Sequence, residues 1–381
     1  MTEHTNTPEL RFPEFREEWN IEQVSDFLIE SKIVGHKGNQ AKKLTVKLWG
    51  KGIVEKESIF KGSSNTQYYI RKAGQLMYGK LDFLNCAFGL VPTELNNFES
   101  TIDSPSFDFI KGDKKFLLER IKMKSFYKKY GDLANGSRKA KRINQNTFLS
   151  MPLYAPTINE QKKIGDFFSK LDRQIELEEK KLELLEQQKR GYMQKIFSQQ
   201  LRFKDEKGND YPKWIFKKFE EIFKVVPSKK YQIKSSEIED NASIPVIDQG
   251  QNLILGFSNN KEKVFNDFKN VIIYGDHTTV IKRSDKPFII GGDGVKLLTS
   301  KVDSDISYLY NALQYFNVKS EGYKRHFSIL KNKDFYISTS IEEQKRIANI
   351  FNKLDKYIEK QFAKVELLKQ RKQGLLQKMF V

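Results

Sequence analysis

Gly74-Gln75-Leu76-Met77-Tyr78-Gly79-Lys80-Leu81 has the outline of a phosphate-binding loop, in which backbone amides cradle phosphates and a lysine reaches them. The hydroxyl residue that should hold magnesium is Leu81, and the stretch between the glycines is apolar. A short buried strand leaving into a turn is the better reading. Gly291-Gly292-Asp293-Gly294 lacks the spaced glycines of a dinucleotide fold and predicts a tight turn. Glu178-x-Lys180 and Asp205-x-Lys207 look like fragments of a nuclease metal site, but both lie on or beside a charged helix, where a solvated face explains them. His4, His36, His277 and His326 have no metal-ligand spacing. No methyl-donor loop, Asn-Pro-Pro-aromatic motif or nucleophilic triad stands out, so the chain is expected to catalyse nothing alone and to hold no metal.

Cations set among amides are the stronger signal. Asn135 to Asn146 joins Gly136 to Arg138, Lys139, Lys141 and Arg142, with Asn144 and Gln145 following. Lys and Arg neutralise phosphates, while Arg, Asn and Gln pair with base edges. The second half of the chain has Gly322-Tyr323-Lys324-Arg325-His326 at a matching place. Gly136 lies 22 residues before Ile158 (158 − 136), and Gly322 lies 19 before Ile341 (341 − 322). A solvated loop explains one such run. Two at equivalent places favour contact with DNA. His277, Lys282 and Arg283 form a further candidate cluster, which a satisfied turn histidine would also explain. Lys80, leaving its Tyr-Gly turn, completes the candidates. Tyr127, Lys128 and Lys129 are ambiguous, lying on a helix face.

The elements that must carry these residues come in two copies. Ile158–Phe197 and Ile341–Phe380 align without a gap at an offset of 183 residues (341 − 158), with about half the positions identical. The echo continues outside them. Leu10-Arg11-Phe12 precedes Trp19 as Leu201-Arg202-Phe203 precedes Trp214, and Met77-Tyr78-Gly79 matches Ile273-Tyr274-Gly275. The expected organisation is a globular domain over 1–157, a helix over 158–200, a second domain over 201–340 and a second helix over 341–381. Strand-like and helix-like segments mix within each globular half, which predicts α+β domains with twisted sheets. Shared parts are expected to be scaffold, and divergent parts to carry the individual task.

In the first helix Ile164, Phe168, Leu171, Ile175, Leu182 and Leu185 follow alternating steps of four and three, continuing through Tyr192 and Ile196. The second repeats this with Ile347, Phe351, Leu354, Ile358, Val365 and Leu368. Glu178 and Lys189 interrupt the first stripe, Gln361 and Lys372 the second. This heptad seam predicts an intramolecular antiparallel coiled coil. About thirty residues at ~1.5 Å each give roughly 45 Å, a ruler a little longer than one DNA turn.

The bulk composition agrees. The balance of 67 basic over 49 acidic residues gives +18, and the pI is near 9.5. Such an excess favours a polyanion, nucleic acid before an anionic membrane. Abundant Phe and Tyr exclude a disordered basic tail. The single Cys86 excludes an intramolecular disulfide and fits a reducing cytoplasm. The N-terminal stretch lacks a signal-peptide core, and no apolar run is long enough to span a bilayer.

These residues together resemble the specificity subunit of type I restriction–modification systems. The resemblance is carried by the repeated Ile-x-Glu-Gln-Lys-x-Ile, Phe-x-Lys-Leu-Asp and Gln-Lys-x-Phe runs, the Leu-Arg-Phe and Trp pairs, Lys80-Leu81-Asp82-Phe83 and Tyr274-Gly275-Asp276-His277-Thr278. It implies that each globular half reads one half of a bipartite, asymmetric DNA target. The helices would set the gap and dock two modification (methyltransferase) subunits, with two restriction (translocase and nuclease) subunits joining. S-adenosylmethionine, ATP and magnesium would then belong to the partners. The competing readings are a basic coiled-coil adaptor without sequence-specific recognition, and an enzyme whose motifs the sequence does not display.

Overall fold

The repeat in sequence is also a repeat in topology. The computed structural model describes residues 6–57, 63–133, 142–322 and 324–381. They form two units, Met1–Glu179 with Lys364–Val381, and Lys180–Ala363.

In the first unit, Asn20–Gln23 pairs antiparallel with Pro152–Ala155. A four-stranded antiparallel sheet runs in the order Leu28–Ser31, Ser106–Phe109, Leu76–Tyr78, Phe88–Leu90. Helices α1 (Lys114–Ile121), α2 (Lys124–Leu133) and α3 (Gln145–Leu149) follow. A break near Lys122 separates α1 from α2. The long α4 (Ile158–Phe197) starts in this unit.

The second unit repeats the plan. Ile215–Lys218 pairs with Asp334–Ile337, and the antiparallel sheet order is Phe223–Val226, Val295–Ser300, Ile272–Gly275, Ile281–Lys282. Its helices are α5 (Phe219–Ile222), α6 (Ile306–Phe316), α7 (His326–Leu330) and the start of α8 (Ile341–Met379). The remaining sheets differ. The first unit adds three antiparallel strands, Ile33–Lys37, Gln67–Ile70 and Glu99–Ser100, and a pair, Leu44–Val46 with Ile53–Glu55. The second adds a mixed sheet ordered Gln232–Ile233, Ile289–Gly291, Ile244–Ile247, Gly256–Ser258.

Both cores are aromatic. Trp19, Tyr78, Phe83, Phe107, Phe116 and Phe148 are buried in the first, and Trp214, Phe219, Tyr274, Tyr308 and Phe335 in the second. Apolar burial of this kind supplies most of the drive to fold. Each core also takes the end of a long helix. Phe380 lies 5.4 Å from Phe116 and 6.0 Å from both Trp19 and Phe168. Its repeat counterpart Phe197 lies 5.8 Å from Trp214 and from Tyr308. So the repeated Gln-Lys-x-Phe run ends each helix with a buried anchor.

Within each unit the two helix segments are antiparallel, the start of one beside the end of the other. In the first unit Ile164, Phe168, Ile175 and Val365 of the predicted stripe are buried, while Leu171 and Leu368 are half-buried. In the second, Ile347 and Phe351 are buried, while Leu182, Leu185, Leu354 and Ile358 are half-buried. Tyr192 is 37% exposed, and Met193 packs on the core instead. Three of the four interruptions of the stripe hold ion pairs. Lys372 reaches Asp172 at 2.7 Å, and its counterpart Lys189 reaches Asp355 at 2.6 Å. Lys364 reaches Glu178 at 2.5 Å.

A paired glutamine ties each helix start to its own domain. Gln161 Oε1 accepts the Asp113 N–H at 3.0 Å, and its Nε2 donates to the Pro156 carbonyl at 2.8 Å. Gln344 does the same with the Asp305 N–H at 2.9 Å and the Ser338 carbonyl at 2.8 Å. Asp113 and Asp305 in turn cap α1 and α6 through their carboxylates. Beside these, Glu160 holds Arg11 at 2.7 Å and Glu343 accepts Trp214 Nε1–H at 2.9 Å.

Candidate nucleic-acid interface

Some of the sequence candidates meet at one junction in each unit, where the Tyr-Gly turn meets a short helix: Lys80, Arg142 and Asn144 in the first, His277, Lys324, Arg325 and His326 in the second. In the first unit, the turn after Leu76–Tyr78 offers the Lys80 carbonyl to the Ile143 N–H at 3.1 Å. Tyr78 Oη donates to the Ile143 carbonyl at 3.0 Å. Arg142 is exposed and paired with Asp103, whose carbonyl accepts the Lys80 N–H. Asn144 caps α3, its side chain accepting the Thr147 N–H at 2.8 Å. Arg142 and Asn144 thus share one exposed edge. Lys80 does not, because it is only 5% exposed. Burial, then the nearby Arg142, pushes its pKa below the usual lysine value. The apolar strand before it draws it inward, so it forms no phosphate cradle. Arg138, Lys139 and Lys141 lie outside the described residues.

The second unit has the equivalent junction. The Asp276 carbonyl accepts the His326 N–H at 2.8 Å, and its carboxylate accepts the Phe327 N–H at 3.0 Å, capping α7. His277 Nδ1 lies 3.1 Å from the Lys324 carbonyl. The Gly275–Thr279 turn and the basic segment before α7, separate in sequence, therefore meet. Lys324 is exposed and pairs with Glu321 at 3.2 Å, and Arg325 is exposed. Tyr323 lies outside the described residues.

Three candidates here do structural work. His326 is wholly buried; its Nε2 accepts the Glu321 N–H at 3.0 Å, which leaves Nδ1 to donate to the Asp276 carbonyl at 3.2 Å. Lys282 is 5% exposed and its ammonium donates to the carbonyls of Asp248 and Asn252. Burial depresses its pKa, with Asp248 pulling the other way. Arg283 is half-buried, bonded to Ser307 Oγ at 2.8 Å and lying over Tyr310. All three are basic by type but sit on inward or helix-facing positions. Sequence reasoning missed Gln249, which accepts the His277 N–H at 3.1 Å and donates to the Asp293 carbonyl at 3.3 Å.

Gly291 to Gly294 form the predicted turn, between strands Ile289–Gly291 and Val295–Ser300. Gly292 and Gly294 have φ of +93° and +85°. Among the described residues, no group of three or more His, Cys, Asp or Glu side chains is placed to hold a metal ion. His36 Nδ1 lies 2.6 Å from Glu99, and His4 is outside the described residues. No helix among them is long and apolar enough to cross a membrane.

A duplicated α+β scaffold, with a turn-to-helix junction at the same place in each copy, defines a protein of two tandem domains of one kind. The family model for the type I restriction–modification DNA specificity domain matches residues 23–187 and again 211–368. The chain therefore belongs to the type I restriction–modification DNA specificity family and carries its domain twice. It is 33% identical over 93 residues to the EcoR124I/EcoR124II specificity subunit of Escherichia coli, a match spanning 24% of this chain and 23% of that protein. Less than a quarter of that relative's length is matched. The fold resembles that of the type I restriction–modification S subunit from M. genitalium, with a TM-score of 0.65 and 16% identity over 98% of this chain and 99% of the other.

Proposed function

We propose that this chain is the sequence-specific DNA-addressing subunit of a type I restriction–modification complex and itself catalyses nothing. Each globular half reads one half of a bipartite, asymmetric target in double-stranded DNA. The paired helices set the gap and dock two modification subunits, and two restriction subunits join them. S-adenosylmethionine, ATP and magnesium act on those partners, in the cytoplasm and away from any membrane.

The observation that carries this reading is the pairing of one scaffold with two different sets of appended strands and loops. Two heads built alike but faced differently suit two unlike half-sites. The net charge of +18 suits the phosphate backbone of both. Exposed apolar side chains on the helices, such as Leu184 at 56% and its counterpart Leu367 at 66%, support protein docking there. An adaptor without DNA specificity would have no use for the paired basic junctions.

The test is co-expression with the neighbouring methyltransferase subunit, followed by single-molecule mapping of N6-methyladenine across the host genome. A bipartite motif with a constant gap is expected. A stable complex with no motif would leave the adaptor as the better account. Inserting one heptad into each helix should lengthen the gap and keep both half-site sequences; an unchanged gap would sink the spacer role.

A further inference from the structure

We infer that Gln251 and Asn252 are base-reading side chains of the second half, contacting adenine in the major groove from a loop held rigid by Lys282. This deepens the DNA-addressing reading and rests on it.

The loop follows strand Ile244–Ile247 and returns into Gly256–Ser258. Lys282 lies on a strand of the shared sheet, and its buried ammonium binds the carbonyls of Asp248 and Asn252 and the Asp248 carboxylate. Taking an ammonium out of water is costly, and three oxygen partners offset that cost only if they stay in place. The scaffold therefore fixes both ends of the Asp248–Asn252 segment at one point.

Gln249 fixes the middle. Its side chain bonds the His277 N–H and the Asp293 carbonyl, and its own carbonyl accepts the Thr278 hydroxyl. The fit leaves no room for side chains nearby. A Cβ at Gly275 would meet Thr278 Oγ1 at 2.3 Å, and one at Gly294 would meet Gln249 Nε2 at 2.7 Å. Three turns, around 249, 277 and 293, are thereby tied together, and His277 joins them to Lys324.

With the inward groups spent, Gln251 and Asn252 remain exposed, and neither side chain has a hydrogen-bond partner among the described residues. A carboxamide offers one donor and one acceptor side by side, the complement of adenine N7 and N6 in the major groove. Two exposed carboxamides on a pinned loop, which Gln249 and His277 tie to the segment carrying the exposed cations Lys324 and Arg325, would combine base readout with phosphate positioning. Among the described residues the mixed sheet that carries this loop occurs in the second unit, so the assignment concerns one half-site.

The experiment uses the complex with its methyltransferase subunit and compares Gln251→Ala, Asn252→Ala, Lys282→Met and Lys282→Arg. Genome-wide methylation mapping should show each alanine variant losing discrimination about tenfold or more at one A·T position of one half-site, with the gap and the other half-site unchanged. Lys282→Met, a positioning change, should blur the same positions, and Lys282→Arg should restore them in part. A variant that loses methylation is read by competition binding on duplexes that differ at single A·T pairs. Discrimination kept at every position in both alanine variants overturns the assignment. A wild-type complex with no bipartite motif would instead overturn the underlying reading.

Discussion

Lys372 and Lys189 hold the same place in the two helix copies (372 − 189 = 183), yet their replacement by methionine should cost different amounts. Both reach an aspartate across the helix pair. Lys372 also binds Glu119 of α1 at 3.0 Å, a carboxylate that is almost fully buried. Six residues after its capping aspartate, α6 has Asn311 where α1 has Glu119 (113 + 6 and 305 + 6). Breaking a buried ion pair costs about 3–5 kcal/mol, because one charge is stranded. Glu119 keeps Lys122 at 2.6 Å. Lys372→Met is therefore expected to cost less than that range, about 2 kcal/mol. Lys189→Met strands only the partly exposed Asp355, and about 0.5–1 kcal/mol is expected. Urea denaturation read by tryptophan fluorescence measures both, since Trp19 and Trp49 report the first unit and Trp214 the second. Adding Glu119→Gln should recover most of the Lys372→Met loss. Equal losses at the two lysines, or coupling within the ~0.3–0.5 kcal/mol of independent sites, would refute the argument.

The pH dependence carries a sign of its own. Burial opposes the Glu119 charge, but Lys122 and Lys372 outweigh it and hold its pKa below the ordinary 4.5. Its contribution is present above 4.5 and is lost as pH falls through the depressed value. Burial likewise opposes the Lys372 charge, but Glu119 and Asp172 hold its pKa above 10.5. That contribution is complete below 10.5 and is lost as pH rises through the raised value. The gap between wild type and Lys372→Met should be widest between these limits.

Further outcomes test other parts of the structure. Cys86 is buried and its thiol is pushed up to about 11, so thiol reagents at pH 8 should modify it slowly until denaturant is added. Tyr78→Phe removes a buried hydrogen bond and should cost about 1 kcal/mol in urea melts. Tyr274→Phe should be near neutral, since its hydroxyl has no partner among the described residues. Gln344→Leu strands the Asp305 N–H and the Ser338 carbonyl and should cost about 1–3 kcal/mol, with Gln161→Leu similar. If Arg142 reads a base, Arg142→Ala should weaken DNA binding by about 1–3 kcal/mol in one half-site; uniform loss across sequences assigns it to phosphate.

Much of the scaffold was legible because duplication turns weak local patterns into paired ones. The Tyr-Gly runs, the Trp pairs and the helix stripe each recur at matched places, and each falls on a matched element. The site was less legible, because residue type does not report depth. Lys282 and His326 read as DNA contacts, and only the tertiary structure shows their polar atoms bonded inward. Gln161 and Gln344 were visible as a repeated pair, but their partners Asp113 and Asp305 lie far away in sequence. Gln249 gave no signal, since it follows a strand of the mixed sheet, which lies outside the repeated scaffold.

The buried phenylalanine that ends each helix has a genetic consequence. An unequal crossover between the two helix-coding stretches deletes 183 residues and leaves 198 (381 − 183). The shortened product keeps one aromatic plug, Phe380, and one matching socket around Trp19, Phe116 and Phe168. Two such products are equipped to exchange plugs and present two identical heads. Each shortened product would thus keep one plug and one socket, and a size measurement on it is expected to show a pair rather than a single chain.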